Sequence, residues 1–185
     1  MKITFPFVMK STAIITAVLT AALAVLHHAF GIAWLRAAAI SCGTTCYHFT
    51  MRLLVGAIVP RFAKHADPRH VWFRQRSFES ALYNRLNVKS WKGRLPTYDP
   101  GQFSTKDNSL RQIVLNTCGA ELVHEVIILF SFVPLLFSLQ FGDFFVFLIT
   151  SVFAAVFDSI FVIAQRYNRP RLMRILQKEE AARNE

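Results

Sequence analysis

Acidic side chains are scarce in this chain: 11 Asp and Glu stand against 21 Lys and Arg in 185 residues, a net charge of +10. Glycine and proline number only seven each, which excludes collagen-like, low-complexity and disordered classes. Three cysteines are too few and too odd for a disulfide framework. Cys42 and Cys46 sit one helical turn apart, and with Cys118 they read as packing residues rather than a metal or redox site. No G-x-S-x-G elbow, Gly-rich phosphate loop or H-E-x-x-H motif occurs. An H-x4-D pair is also missing: the fifth residue after His124 is Leu129, and His65 and Asp67 are only two apart. Soluble-hydrolase and glycerolipid-acyltransferase mechanisms therefore gain no support. What is abundant is apolar surface, with 54% hydrophobic residues, 18 Phe and a mean hydropathy of +0.36. That is too apolar for an ordinary soluble domain.

The apolar residues fall into runs. Ser11 to Phe30 carries no charge and is long enough to span a bilayer. Lys2 and Lys10 precede it like the start of a secretory signal, but no small-x-small site closes the run, so it reads as an uncleaved anchor. A second run, to Pro60, is interrupted by Arg36, His48 and Arg52. Arg36 can snorkel, whereas His48 and Arg52 must face protein or water. Residues 61–117 then carry eleven cations against four acids, a net of +7. Within them, Val71 to Trp91 has helical apolar spacing and is expected to form an amphipathic surface helix, followed by turns around Pro96 and Pro100. Two further runs follow, with Pro134 as a kink and Gly142 and Asp143 as the turn between antiparallel helices. Pro170 is expected to end the last span and open a short amphipathic tail helix.

The expected fold is an all-α, integral-membrane bundle of one domain, residues 1–185. Its four spans cover about residues 11–30, 33–59, 120–141 and 144–165. The basic segment 61–117 and the tail 166–185 lie between and after them. The positive-inside tendency places both termini on the cytoplasmic side of a cell membrane. In that topology Glu121 lies about 5 Å and His124 about 10 Å below the inner boundary, with Arg52 and Asp158 about 12 Å deep. Ionisable groups at such depth are site candidates. Glu121 and His124, three apart, share a helix face, and a carboxylate beside an imidazole can prepare a general base. The alternative is a polar seam, in which Glu121 pairs with Arg111 or Arg166 and nothing is catalysed. A di-iron carboxylate site would need a second E-x-x-H motif, and only one is present.

Arg166, Arg169 and Arg171 form a guanidinium cluster suited to phosphate or carboxylate oxygens, or to a stop-transfer boundary. Ten Phe residues in the last two runs can line a slot for a polyene or acyl chain, or face lipid. Aromatic residues interleave the basic segment, yet no nucleic-acid motif is present.

Three motifs carry a resemblance. Ala120-Glu121-Leu122-Val123-His124 opens a membrane helix, and Gln165-Arg166-Tyr167-Asn168-Arg169-Pro170-Arg171-Leu172 closes the next. Val88-Lys89-Ser90-Trp91-Lys92 follows an aromatic and basic helix around Phe78 and Glu79. In these, over about Trp72 to Leu176, the chain resembles the glycosyl-4,4'-diaponeurosporenoate acyltransferases of carotenoid pigment synthesis. The resemblance implies an integral membrane enzyme that moves a fatty acyl group from acyl-CoA or an acyl carrier to a sugar hydroxyl, with no bound cofactor or metal. The chemistry then assigns His124 as base and Glu121 as its orienting partner. Arg166, Asn168, Arg169, Arg171, Asp158, Arg52, His48, Trp91 and Lys92 become candidates for holding donor or acceptor. Two further readings stand beside it: a small transferase or reductase acting on an isoprenoid or steroid lipid with a nucleotide donor, and a non-catalytic membrane scaffold or lipid-binding subunit.

Overall fold

The computed structural model describes residues 4–184, and every regular element among them is helical. Lys2, read above as part of the charged start, lies outside the described residues. Four helices are long: α1 (Phe5–Phe30), α2 (Ala33–Ala63), α5 (Leu110–Phe130) and α7 (Phe144–Asn184). Three are short: α3 (Glu79–Arg85), α4 (Val88–Trp91) and α6 (Ser138–Phe141). Three stretches are long and apolar enough to cross a membrane: α1, Leu110–Phe141 and the greater part of α7. Helix α2 has the length but carries the polar residues noted above.

The chain divides into two compact units, residues 1–57 with 126–158 and residues 58–125 with 159–185. In the first, α1 opens with a proline in its first turn and closes on Gly31, whose left-handed conformation (φ 67°) lets its N–H reach the His27 carbonyl at 2.8 Å. Pro134 starts a 3-10 turn, Val133–Phe137, which realises the expected kink. Tyr47 donates its hydroxyl to the Phe130 carbonyl at 2.9 Å, satisfying one of the acceptors left at the end of α5. The turn before α7 is as expected, with positive φ at both Gly142 (71°) and Asp143 (51°). Phe145 and Phe153 are 73% and 76% exposed. In a spanning helix such rings face lipid, whereas Phe147 is buried.

In the second unit the expected single helix from Val71 to Trp91 is broken into three pieces. A 3-10 turn covers Val71–Phe73, and α3 and α4 are separated by Asn87 in the left-handed region at φ 46°. Asn tolerates that conformation, and a continuing helix does not. The carbonyls of residues 72–74 are also drawn to arginine side chains, as described below, instead of to helix N–H groups. The expected break at Pro170 is absent, and α7 runs through it. A proline inside a helix costs about 3 kcal/mol, and here the turn that precedes it is held by the buried partners of Arg166 and Arg169. Helix α2 likewise continues past Pro60, and α5 begins at Leu110 rather than near Ala120.

Gly142 combines φ 71° with ψ −147°, a conformation essentially confined to glycine, and no atom lies within 4 Å of where a Cβ would sit. The penalty for a side chain there is purely conformational. Gly142→Ala is expected to destabilise the protein by about 1–3 kcal/mol and to lower its melting temperature in detergent. Gly56→Ala, in the open interior of α2, should leave it unchanged or raise it.

Candidate functional site

The second unit is built around two carboxylates and two guanidiniums. Arg166 and Arg169 are three apart on α7 and so share a face. Opposite them, α5 presents Thr117 and Glu121, four apart. Helix α3 contributes Glu79 from its first turn. Arg166 donates from Nε and Nη2 to Glu79 Oε1 (2.8 and 2.6 Å) and from Nη1 to Glu121 Oε1 (2.6 Å). It also donates to the carbonyls of Trp72 (3.0 Å) and Arg74 (2.9 Å), so all five of its N–H groups are met. Arg169 donates Nε to Thr117 Oγ1 (3.1 Å) and Nη1 to the Phe73 carbonyl (3.3 Å). Its Nη2 reaches the Thr117 carbonyl (3.0 Å) and Glu121 Oε2. Its guanidinium also lies over the Phe73 ring, 4.9 Å from the centroid. Glu121 is fully buried and Arg169 is 2% exposed.

Glu79 completes its coordination by accepting the Tyr83 hydroxyl at 2.8 Å. Burial, and then this bond to a carboxylate, push the Tyr83 phenol well above the usual tyrosine range. The network thus ties α3, α5, α7 and the 72–74 backbone into one assembly.

These contacts correct the expected phosphate cluster. Arg166 and Arg169 are turned inward on protein acceptors, because guanidiniums in an apolar unit are stable only when their charge and donors are compensated. Arg171, on another face of α7, is exposed. Glu121 gives an oxygen to each arginine, so the pairing with Arg166 weighed as the polar-seam alternative is present. His124, one turn along α5, stacks its imidazole flat on Phe161 of α7, with centroids 4.6 Å apart and planes at 9°. Lys92 bonds Asn168 Oδ1 and sits 4.8 Å from the Tyr167 ring centroid. Trp91 donates its indole N–H to the Leu86 carbonyl (2.9 Å), closing the turn between α3 and α4.

Arg52 and Asp158 belong to the first unit. There Arg52 pairs with Asp158 and donates to the carbonyls of His48 (3.1 Å) and Ala154 (3.3 Å). His48 is 5% exposed, with its ring edge-on to Tyr47. Of the four side chains, Arg52 and Asp158 pair in the first unit, and Glu121 and His124 lie on α5 in the second. Among the described residues no cluster of His, Cys, Asp and Glu is placed to hold a metal ion.

Sequence reasoning passed over Glu79, Thr117, Tyr83 and Tyr167 as site members. Glu79 had a signal, being one of two acids in the stretch 61–94 and lying in an apolar helical pattern. Thr117, the carbonyl acceptors and the Tyr83–Tyr167 contact had none.

The fold defines a helical membrane protein whose second unit is cross-tied by buried ion pairs. Residues 68–178 match the family model described as Glycosyl-4,4'-diaponeurosporenoate acyltransferase, well over half of the chain. The chain belongs to that family, as its motifs implied. No curated protein and no solved structure matches it. The whole network lies within the matched residues, whereas His48 and Arg52 precede them.

Glu121→Gln removes the charge shared by two arginines while keeping the volume. Breaking a buried pair by neutralising one partner typically costs about 3–5 kcal/mol. The variant is expected to show a sharply lowered melting temperature and reduced monodisperse yield in detergent, while Arg171→Gln, at an exposed position, should melt like the parent.

Proposed function

We propose that the protein is a membrane acyltransferase that moves a fatty acyl group from an activated donor, an acyl-CoA or acyl carrier thioester, to a sugar hydroxyl of a glycosylated carotenoid or related glycolipid. The family match over residues 68–178 carries this reading, and it favours acyl transfer over the isoprenoid or steroid chemistry considered above. His124 lies inside the match on a helix whose position is set by Glu121 one turn earlier.

In this reading His124 is the general base. Stacking on Phe161 sets the plane of the imidazole, and an oriented imidazole is what proton transfer in a transition state requires. The acceptor oxygen attacks the thioester carbonyl as its proton passes to His124. The tetrahedral intermediate then expels the thiolate, which takes the proton back from the imidazolium, so the base is regenerated and the products are an ester and a thiol. Glu121 is a positioning residue: its oxygens are held by Arg166 and Arg169, and what it fixes is the helix that bears His124. The basic segment 61–117 and both termini face the cytoplasm, where a soluble thioester is delivered. Outward-facing Phe side chains of α7 keep the acceptor's apolar chain in reach through the bilayer.

The test compares His124→Ala with the parent at equal protein in membranes supplied with a glycosylated carotenoid and an acyl thioester. Loss of general acid-base help is typically worth about 100-fold or more, so turnover should fall at least that far while the melting temperature changes little. Turnover near the parent level would overturn the assignment of His124.

A further inference from the structure

With Arg166 and Arg169 committed to protein acceptors, the second unit still carries cations that no carboxylate meets among the described residues. Lys92 is half-buried, its ammonium fixed by Asn168 Oδ1 and by the face of Tyr167. Tyr167 is in turn braced edge-on by Tyr83, with centroids 5.4 Å apart. Burial first, and then the positive charges of Arg171 and Lys89, hold the Lys92 ammonium below the usual lysine range. Lys89 lies three residues earlier, on α4, and Arg171 three residues after Asn168 on α7. Two acids of this unit are already occupied: Glu79 with Arg166 and Tyr83, and Glu180 with Arg69.

Two cations gathered around a braced ammonium repel it, and such an arrangement is relieved by an anion. Asn168, with its carbonyl oxygen turned to Lys92, also supplies an amide N–H2 donor. A second cationic feature, the cavity of about 340 Å³ bordered by Arg69, Arg74 and Arg169, is less suited. Arg69 already faces Glu180 at 3.4 Å, and Arg169 is held by Glu121.

We propose that Lys92, Lys89 and Arg171, with Asn168, form a binding site for the phosphate or pyrophosphate oxygens of the acyl donor. This rests on the acyl-transfer reading for the donor's identity, and on geometry alone for the anion site. The matching chemistry is a phosphate oxyanion, and it can be brought by a soluble phosphorylated thioester or by an anionic lipid headgroup. Lysine and arginine offer complementary recognition here, a compact ammonium and a planar fork. Braced aromatic and amide groups hold the ammonium in place before the ligand arrives, which lowers the ordering cost of binding.

The experiment uses the full chain in phosphatidylcholine nanodiscs, with binding of coenzyme A and of inorganic pyrophosphate measured by calorimetry. The two ligands are expected to compete for one site. Lys92→Gln with Arg171→Gln should weaken both by tenfold or more, and Lys92→Arg should retain most binding. Equal binding by the parent and the double variant, with matching melting temperatures, overturns the site. Normal binding that responds to the double variant, in a protein with no acyl transfer, upholds the anion site and removes the acyl-transfer reading. If neither soluble ligand binds, while phosphatidylglycerol introduced into the nanodiscs raises the melting temperature of the parent but not of the double variant, the oxyanion chemistry stands and the donor assignment falls. If none of the three ligands acts on the parent, the proposal is overturned.

Discussion

A guanidinium among hydrocarbon side chains is stable only if its charge is compensated and its N–H groups are largely met, and this condition shapes the second unit. Arg166 satisfies it with two carboxylates and two backbone carbonyls, and Arg169 with a hydroxyl, two carbonyls and one carboxylate. Glu121 is the member common to both. The acceptors belong to three different stretches of chain, so satisfying the arginines brings α3, α5 and the 72–74 backbone to α7. Two consequences are visible in the local structure. The segment after Val71 cannot continue as a helix, because its carbonyls are used by side chains. The helix that bears Pro170 continues, and the turn before the proline is anchored through Arg166 and Arg169.

The same condition separates structure from chemistry. Residues that resemble a phosphate clamp in one dimension, Arg166 and Arg169, are internal ties in three. The cations left to meet a ligand are Lys92, Lys89 and Arg171. His124 sits between these roles, on the tied helix but with its ring on Phe161. In the first unit the principle recurs in part: Asp158 neutralises Arg52 and the carbonyls of His48 and Ala154 accept from its Nη groups, while its buried Nε has no partner among the described residues. Helix α2 can thus tolerate a charge within an otherwise apolar stretch.

Much of the architecture was legible from local pattern. Runs of about 20 apolar residues, the Gly142–Asp143 turn and the Pro134 kink are short-range signals, and each has its counterpart in the structure. The family was legible too, from two helix-terminal motifs. The breaks were misplaced where distant contacts decide: Pro170 reads as a boundary only if Arg166 and Arg169 are considered solvated, and Val71 to Trp91 reads as one helix only if its carbonyls bond locally. Asn87 was a local clue to the second break, since asparagine adopts positive φ more readily than most residues. Thr117 and Tyr83 gave no signal, since their importance lies wholly in what they meet across the fold. Glu121 was read with its neighbour His124, while its two arginine partners lie on another helix, 45 and 48 residues away.

The claim that the unit depends on a shared buried carboxylate is tested most directly by a double-mutant cycle between Glu121 and Arg169, with glutamine at each position and unfolding followed at equilibrium in mixed detergent. Residues coupled in one network show interaction energies of about 0.5–3 kcal/mol. The account predicts a coupling at the upper end, about 2 kcal/mol or more, with the double variant more stable than the two single losses combined would allow. Single losses that simply add, with coupling near zero, would contradict it.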